Sequence, residues 1–210
     1  MNLEAECIKS WGIALTGGIA TGKSFISSLL REKGFPVFDA DIFSREVCQP
    51  GEPAYTKIID FFGREILDDS LFINRKKLAS LVFGDPKKLL RLESIVHPQI
   101  ELRLIARLRE EGLFERPRVW FYEASLIFER GREKDFKEVW LTHCLRETQE
   151  KRLRERNSGF SKEFIKKLLS SQQPYESKKE KADYLIDMEG SKLEIEKEIF
   201  SKVNEFSLFS

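Results

Sequence analysis

Along the 210 residues, short continuous apolar runs alternate with apolar residues spaced three and four apart, which predicts strands interleaved with amphipathic helices. Trp11-Gly12-Ile13-Ala14-Leu15 is a short buried strand leading into a glycine-rich turn. Lys23–Lys33 then sets Phe25, Ile26, Leu29 and Leu30 on one stripe of a helix that Gly34 ends. Phe35-Pro36-Val37-Phe38 starts a second strand, which runs into Asp39-Ala40-Asp41. Strand, helix and strand in this order make a βαβ unit, whose parallel strands need covering helices.

Turn residues at Gln49-Pro50-Gly51-Glu52-Pro53 open a long helical stretch. Ala54–Phe62, Arg75–Phe83 and Lys87–Glu110 all carry helical apolar spacing, and Pro98 is expected to kink or restart the last of them. The stretch lacks a long strand, which predicts a helical insertion over about residues 42–112, placed to wall a substrate. Strands resume at Val119–Tyr122, which ends in Glu123, then at Val139–Thr142 and Tyr184–Ile186. Arg146–Arg156 and Leu193–Phe206 are helical, and a lid is expected over about residues 155–175. Five strands with helices on both faces predict a three-layer α/β/α fold around a five-stranded parallel sheet.

Charge narrows the function classes. Lys plus Arg number 36 against 35 Asp plus Glu, a net charge of +1, which argues against a general nucleic-acid binder. Cys7, Cys48 and Cys144 are widely spaced and suggest neither a disulfide framework nor a metal site, and His97 and His143 are isolated. No apolar run approaches the roughly 20 residues of a membrane span. Met1–Ser10 contains Glu4, Glu6 and Lys9 and has no signal-peptide core. A cytoplasmic protein with no membrane partner is expected. The sequence does not fix the oligomeric state, with a monomer favoured.

The chemistry is concentrated at Gly17-Gly18-Ile19-Ala20-Thr21-Gly22-Lys23-Ser24, a full match to the phosphate-binding P-loop pattern. Its glycines let backbone N–H groups converge on phosphates, and the following helix adds its positive end. Lys23 would neutralise charge between the β- and γ-phosphates and Ser24 would ligate Mg²⁺. The bland alternative is an ordinary glycine-rich turn. At an ordinary glycine usage of about 7%, a chance match in such a chain is on the order of one in a hundred, and the position between a strand and a helix lowers it further.

Other candidates have stronger bland readings. Asp39 and Asp41 follow the second strand at the carboxyl edge of the sheet, where α/β ligands bind. Two apart in extended chain, they point to one side. One carboxylate could take a proton from an acceptor hydroxyl and the other support Mg²⁺ waters; alternatively Asp41 N-caps a helix starting at Ile42. Glu123 has the position of an acidic strand-end residue holding a water of the Mg²⁺ shell, or is a plain loop acid. Arg146, Arg152, Arg154 and Arg156 are mostly explained by partners at Glu147, Glu150 and Glu155. Phosphoryl transfer nevertheless needs guanidinium groups, and one or two of these are expected to act. His97 is more simply a structural hydrogen-bonder.

Taken in order, these residues resemble the dephospho-CoA kinase family from about Trp11 to the last helix. Leu15–Ile19 with Gly22-Lys23-Ser24, Asp39-Ala40-Asp41 with Pro50-Gly51 and Pro53-Ala54, Phe62-Gly63, and Val96-His97-Pro98 are similar to its successive blocks. So are Leu126-Ile127-Phe128-Glu129, Thr148-Gln149, Arg152-Leu153, Arg156, Gln172, and Ala182-Asp183-Tyr184 with Ile186-Asp187. The resemblance implies a P-loop NTPase fold of the nucleotide-kinase type, with a helical CoA-binding insertion and a lid. It implies Mg²⁺-dependent transfer of the ATP γ-phosphate to the ribose 3′-hydroxyl of dephospho-CoA. Under it Asp41 is the base, Lys23 and Arg152 act on the phosphates, and Gly17–Ser24 with Arg156 bind ATP. Thr16, Asp39 and His97 lie on the acceptor side, and Ser24 and Glu123, the latter through water, serve the metal. The chain departs from the family at Ala20-Thr21 (Gly-Ser), Glu123 (Asp), Ser125 (Pro), His143 (Asp) and Met188 (Asn). A nucleoside monophosphate kinase is the runner-up, but no Asp-Gly-Phe-Pro-Arg strand end is present. A GTPase switch would carry Asn-Lys-x-Asp, which is also missing.

Overall fold

Strand β1, Gly12–Gly17, is buried along its whole length, as expected of a central parallel strand covered on both faces. The computed structural model describes residues 3–207, and β1 is the middle of a five-stranded sheet within them. The other strands are β2 (Val37–Asp39), β3 (Trp120–Glu123), β4 (Glu138–His143) and β5 (Tyr184–Asp187). Their order is β2-β3-β1-β4-β5, with β1 parallel to β3 and β4, and β4 parallel to β5.

Period-two alternation sends Ile13 and Leu15 of β1 to one face, where Phe121, Trp140 and Ile186 join them from the neighbouring strands. Helix α2 (Lys23–Glu32) adds Ile26, Leu29 and Leu30 to this core. The closing helix α10 (Lys192–Ser207) adds Ile195, Ile199 and Val203. Edge-on aromatic contacts run across it from Phe35 to Phe121, Phe121 to Trp140 and Trp140 to Tyr184, at 5.6, 5.2 and 5.1 Å between centroids. On the opposite face Trp120 and Tyr122 both pack on Phe136.

The first strand starts later than the apolar pattern suggested. Trp11 ends helix α1 (Leu3–Trp11), which has Glu4 and Glu6 in its first turn and Lys9 in its last, charges that suit the helix dipole. Met1 and Asn2, part of the segment read for a signal peptide, lie outside the described residues.

The chain divides into two compact units, Asp39–Gly112 and the remainder. The smaller contains α3 (Ala40–Glu46), α4 (Pro53–Phe62), α5 (Arg75–Val82) and α6 (Pro86–Glu110). Helix α6 runs continuously through Pro98, so the proline does not end it. Two of its arginines tie the unit together. Arg103 reaches Glu52 at 2.8 Å and Glu46 at 3.4 Å, and Arg107 reaches Glu46 at 3.4 Å.

In the larger unit β4 is followed by α7 (Arg146–Arg156), α8 (Lys162–Ser170) and α9 (Tyr175–Lys179). Ser161 caps α8 by accepting from the Phe164 N–H at 3.1 Å. Helices α7 and α8 have a small apolar cluster of their own, with Leu153 and Ile165 packed on Ala20 and bordered by Ile19, Phe160, Leu168 and Leu169. Among the described residues no helix is long and apolar enough to cross a membrane.

Candidate active site

The glycine-rich turn connects the carboxyl end of β1 to the first residue of α2, and its backbone is unusual at two points. Gly22, which caps α2, has φ 105° and ψ 14°, a left-handed conformation open to glycine. A Cβ there would also lie 2.7 Å from the Met188 methyl. Gly22→Ala is therefore expected to destabilise the fold by about 1–3 kcal/mol. For a chain of this size each kcal/mol lowers the melting temperature by about 2–4 °C, which a thermal melt followed by circular dichroism would register. Ala20 also has a positive φ, 60°, and its methyl is buried in the α7–α8 cluster. Packing there offsets a backbone conformation that an L-residue adopts at a cost.

The loop's side chains are already engaged. Lys23 Nζ donates to the carbonyls of Gly17 at 2.9 Å and Gly18 at 3.0 Å, so its ammonium curls over the loop mouth. Thr142 Oγ1 of β4 donates to Thr21 Oγ1 at 2.8 Å, since Thr21 Oγ1 spends its own hydrogen on the Gly18 carbonyl. Thr21 thus ties the middle of the loop to the strand beside β1.

Ser24 and Glu123, the two residues expected to serve a metal, are brought together. Ser24 Oγ donates to Glu123 Oε1 at 3.3 Å, although one opens α2 and the other ends β3. Glu123 is almost fully buried. A hydroxyl and a carboxylate are hard oxygen donors and fit Mg²⁺, which keeps waters and takes substrate phosphates as ligands. No group of three His, Cys, Asp or Glu side chains able to enclose a metal occurs among the described residues.

Other expected site residues have different surroundings. Thr16, expected to face the cleft, is fully buried and its hydroxyl has no hydrogen-bond partner among the described residues. Arg152 NH1 donates to the Ala20 carbonyl at 3.2 Å and NH2 to the Met188 carbonyl at 3.0 Å, joining the loop to the turn after β5. Arg156, at the end of α7, is exposed.

In the smaller unit, the helix cap is Asp39 and not Asp41. Asp39 Oδ1 accepts from the N–H groups of Asp41 at 2.7 Å and Ile42 at 3.4 Å. Helix α3 consequently begins at Ala40, so the expectation that Asp39 and Asp41 share one side of extended chain does not hold. Asp41 lies in the first helical turn with its side chain exposed. His97 is half-buried on α6.

Several neighbours of the loop have no role assigned from sequence. A cleft of about 460 Å³ in the larger unit is lined by Gly18, Thr21, His143, Cys144, Gln149 and Gln172, among others. The His143 ring lies 4.7 Å from that of Tyr175. Burial pushes the Cys144 thiol above its ordinary pKa, against the opposing pull of Arg152, which keeps it a thiol at neutral pH. Gln149 and Gln172 stand in the sequence only within the family resemblance and His143 only as a departure from it, with no role attached, and Cys144 and Tyr175 carry no motif.

With this geometry in view, relatives agree on one assignment. A sequence model of the dephospho-CoA kinase family matches residues 11–194. A dephospho-CoA kinase of Carboxydothermus hydrogenoformans is 41% identical over 180 residues, 85% of this chain and 86% of that one. Among solved structures, the protein TT1252 of Thermus thermophilus superposes with TM-score 0.78 at 29% identity, covering 94% of this chain and 97% of that one. A dephospho-CoA kinase of Campylobacter jejuni does so with TM-score 0.61 at 25% identity, covering 93% and 96%. The chain belongs to the dephospho-CoA kinase family of P-loop kinases, enzymes of the final step of coenzyme A synthesis.

Proposed function

We propose that this kinase transfers the γ-phosphoryl group of ATP to the ribose 3′-hydroxyl of dephospho-CoA, releasing ADP and CoA. The observation that carries the donor half is the Ser24–Glu123 hydrogen bond beside a phosphate loop whose lysine already curls over it. Gly17–Ser24 binds the triphosphate, with Lys23 exchanging the Gly17 and Gly18 carbonyls for phosphate oxygens. Ser24, and Glu123 through water, would hold Mg²⁺, which when bound neutralises charge on the phosphate oxygens.

Asp41 accepts the proton of the attacking hydroxyl as the new O–P bond forms and the bond to ADP breaks. Arg152 reaches the transferring phosphate by giving up its bonds to the Ala20 and Met188 carbonyls, and Arg156 adds charge from the end of α7. Asp39 and His97 orient the acceptor within the helical insertion of about residues 42–112, and residues of about 155–175 act as the lid. Thr16, with a fully buried side chain, serves the acceptor side through the strand it belongs to. A cytoplasmic monomer without nucleic-acid partners is consistent with the near-neutral charge balance.

The test is a steady-state screen of ADP release with dephospho-CoA, AMP, CMP and shikimate, the phosphate position in the product being read by NMR. Turnover with dephospho-CoA alone and a 3′-phosphate is the expected result. Turnover with AMP and none with dephospho-CoA would overturn the assignment.

A further inference from the structure

Two glutamines grip one residue of the phosphate loop from outside. Gln149 of α7 donates from Nε2 to the Ile19 carbonyl at 2.7 Å. The Ile19 N–H donates to Oε1 of Gln172, in the turn after α8, at 2.8 Å. Both backbone groups of Ile19 are thereby taken by side chains 130 and 153 residues away in sequence. The backbone itself settles which end of each amide is which. A carbonyl only accepts and an N–H only donates, so Gln149 presents nitrogen and Gln172 presents oxygen.

The grip has a directional consequence. A trans peptide carries its C=O and N–H on opposite sides, and no cis bond interrupts this chain among the described residues. Turning the Ile19 carbonyl out to Gln149 turns the Ala20 N–H the other way, away from α7. Fixing the Ile19 N–H on Gln172 likewise turns the Gly18 carbonyl the other way, where Lys23 Nζ at 3.0 Å and Thr21 Oγ1 at 2.8 Å donate to it. Arg152 holds the next carbonyl, that of Ala20. Three consecutive peptide planes are thus oriented from the side of α7 and α8. The approach is close: a Cβ on Gly18 would stand 2.9 Å from Gln149 Nε2 and 3.5 Å from Gln172 Oε1. Glycine at position 18 leaves the room the two amides need.

We infer that Gln149 and Gln172 are positioning residues for the nucleotide, setting the peptide orientations of the phosphate loop before ATP arrives. The inference rests on the reading of Gly17–Ser24 as the triphosphate site. An anion site whose N–H groups are already aimed has less order to impose on binding, so losing the grip weakens ATP and spares the acceptor.

The experiment uses the full chain with Gln149→Leu, Gln172→Leu, Gln172→Glu and Lys23→Ala. ATP and ADP affinities come from titration calorimetry with Mg²⁺, and kcat and both KM values from steady-state assays. Each leucine variant should bind ATP about tenfold more weakly, the scale of one lost hydrogen bond. The KM for ATP should rise in parallel, while the KM for dephospho-CoA stays within about twofold. Gln172→Glu keeps an acceptor oxygen opposite the Ile19 N–H. It should restore the melting temperature of the nucleotide-free protein, which holds the test open if a leucine variant folds poorly. ATP affinity unchanged in both leucine variants, or equal rises in the two KM values, would overturn the inference. Unchanged ATP affinity in Lys23→Ala would instead refute the loop as the triphosphate site, a separate failure.

Discussion

Asp41→Asn is expected to fold as the parent does, to bind ATP as tightly, and to turn over about 10²–10⁴-fold more slowly, the range for losing a general base. The prediction separates chemistry from stability because of how α3 begins. The cap is supplied by Asp39 Oδ1, which accepts from the Asp41 backbone N–H at 2.7 Å, a bond that an asparagine at 41 retains. What the substitution removes from the folded state is one negative charge in an exposed first turn, worth about 0.3–1 kcal/mol. A fall in kcat of a hundredfold or more with a melting temperature nearly unmoved assigns the carboxylate to the reaction. Turnover within about threefold of the parent would leave Asp41 as a helix-dipole residue and move the search for the base elsewhere.

Lys23→Ala should lower kcat/KM by about 10²–10³-fold, the scale seen when a single charge-stabilising donor is removed from a transition state. The lysine ammonium donates to two carbonyls of its own loop, at 2.9 and 3.0 Å. Its loss therefore has two parts: weaker ATP binding and weaker stabilisation of the phosphate in transfer. Lys23→Arg discriminates between them. A guanidinium keeps the charge but not the compact ammonium that fits over the loop, so binding should recover more than kcat. Full activity in Lys23→Ala would refute the role assigned to the loop.

The parts of this molecule that were legible in sequence are the ones whose signals are local. The buried run after Gly12, the stripe of Ile26, Leu29 and Leu30, and the full P-loop pattern each announce themselves within about ten residues, the reach of a strand or helix period. Trp11 reads as strand because it is apolar and abuts an apolar strand, yet it ends α1, whose Glu4, Glu6 and Lys9 are placed as a helix dipole prefers. Strand periodicity sets the two aspartates on one side only if extended chain runs to residue 41, two residues beyond its end at Asp39. Asp39 stops the strand by capping the helix, a competition that favours the cap.

What could not be read was long-range. Ser24 and Glu123 lie 99 residues apart and meet only because β3 pairs with β1. The glutamines are marked in sequence only by the family resemblance, which gives them no role. Their role depends on α7 and the turn after α8 returning to the loop. Arg152, selected for its charge, holds two backbone carbonyls, a partner choice that no pattern of charges encodes.

The small cluster of Ala20, Leu153 and Ile165 has a consequence for where this protein opens. It is separate from the larger core that Ile13, Trp140 and Ile199 share, so α8 can unpack without uncovering the sheet. Local unfolding there would have a free energy well below that of the whole chain. Because Ala20 belongs to the loop as well as to the cluster, such an opening would loosen the triphosphate grip at the same moment.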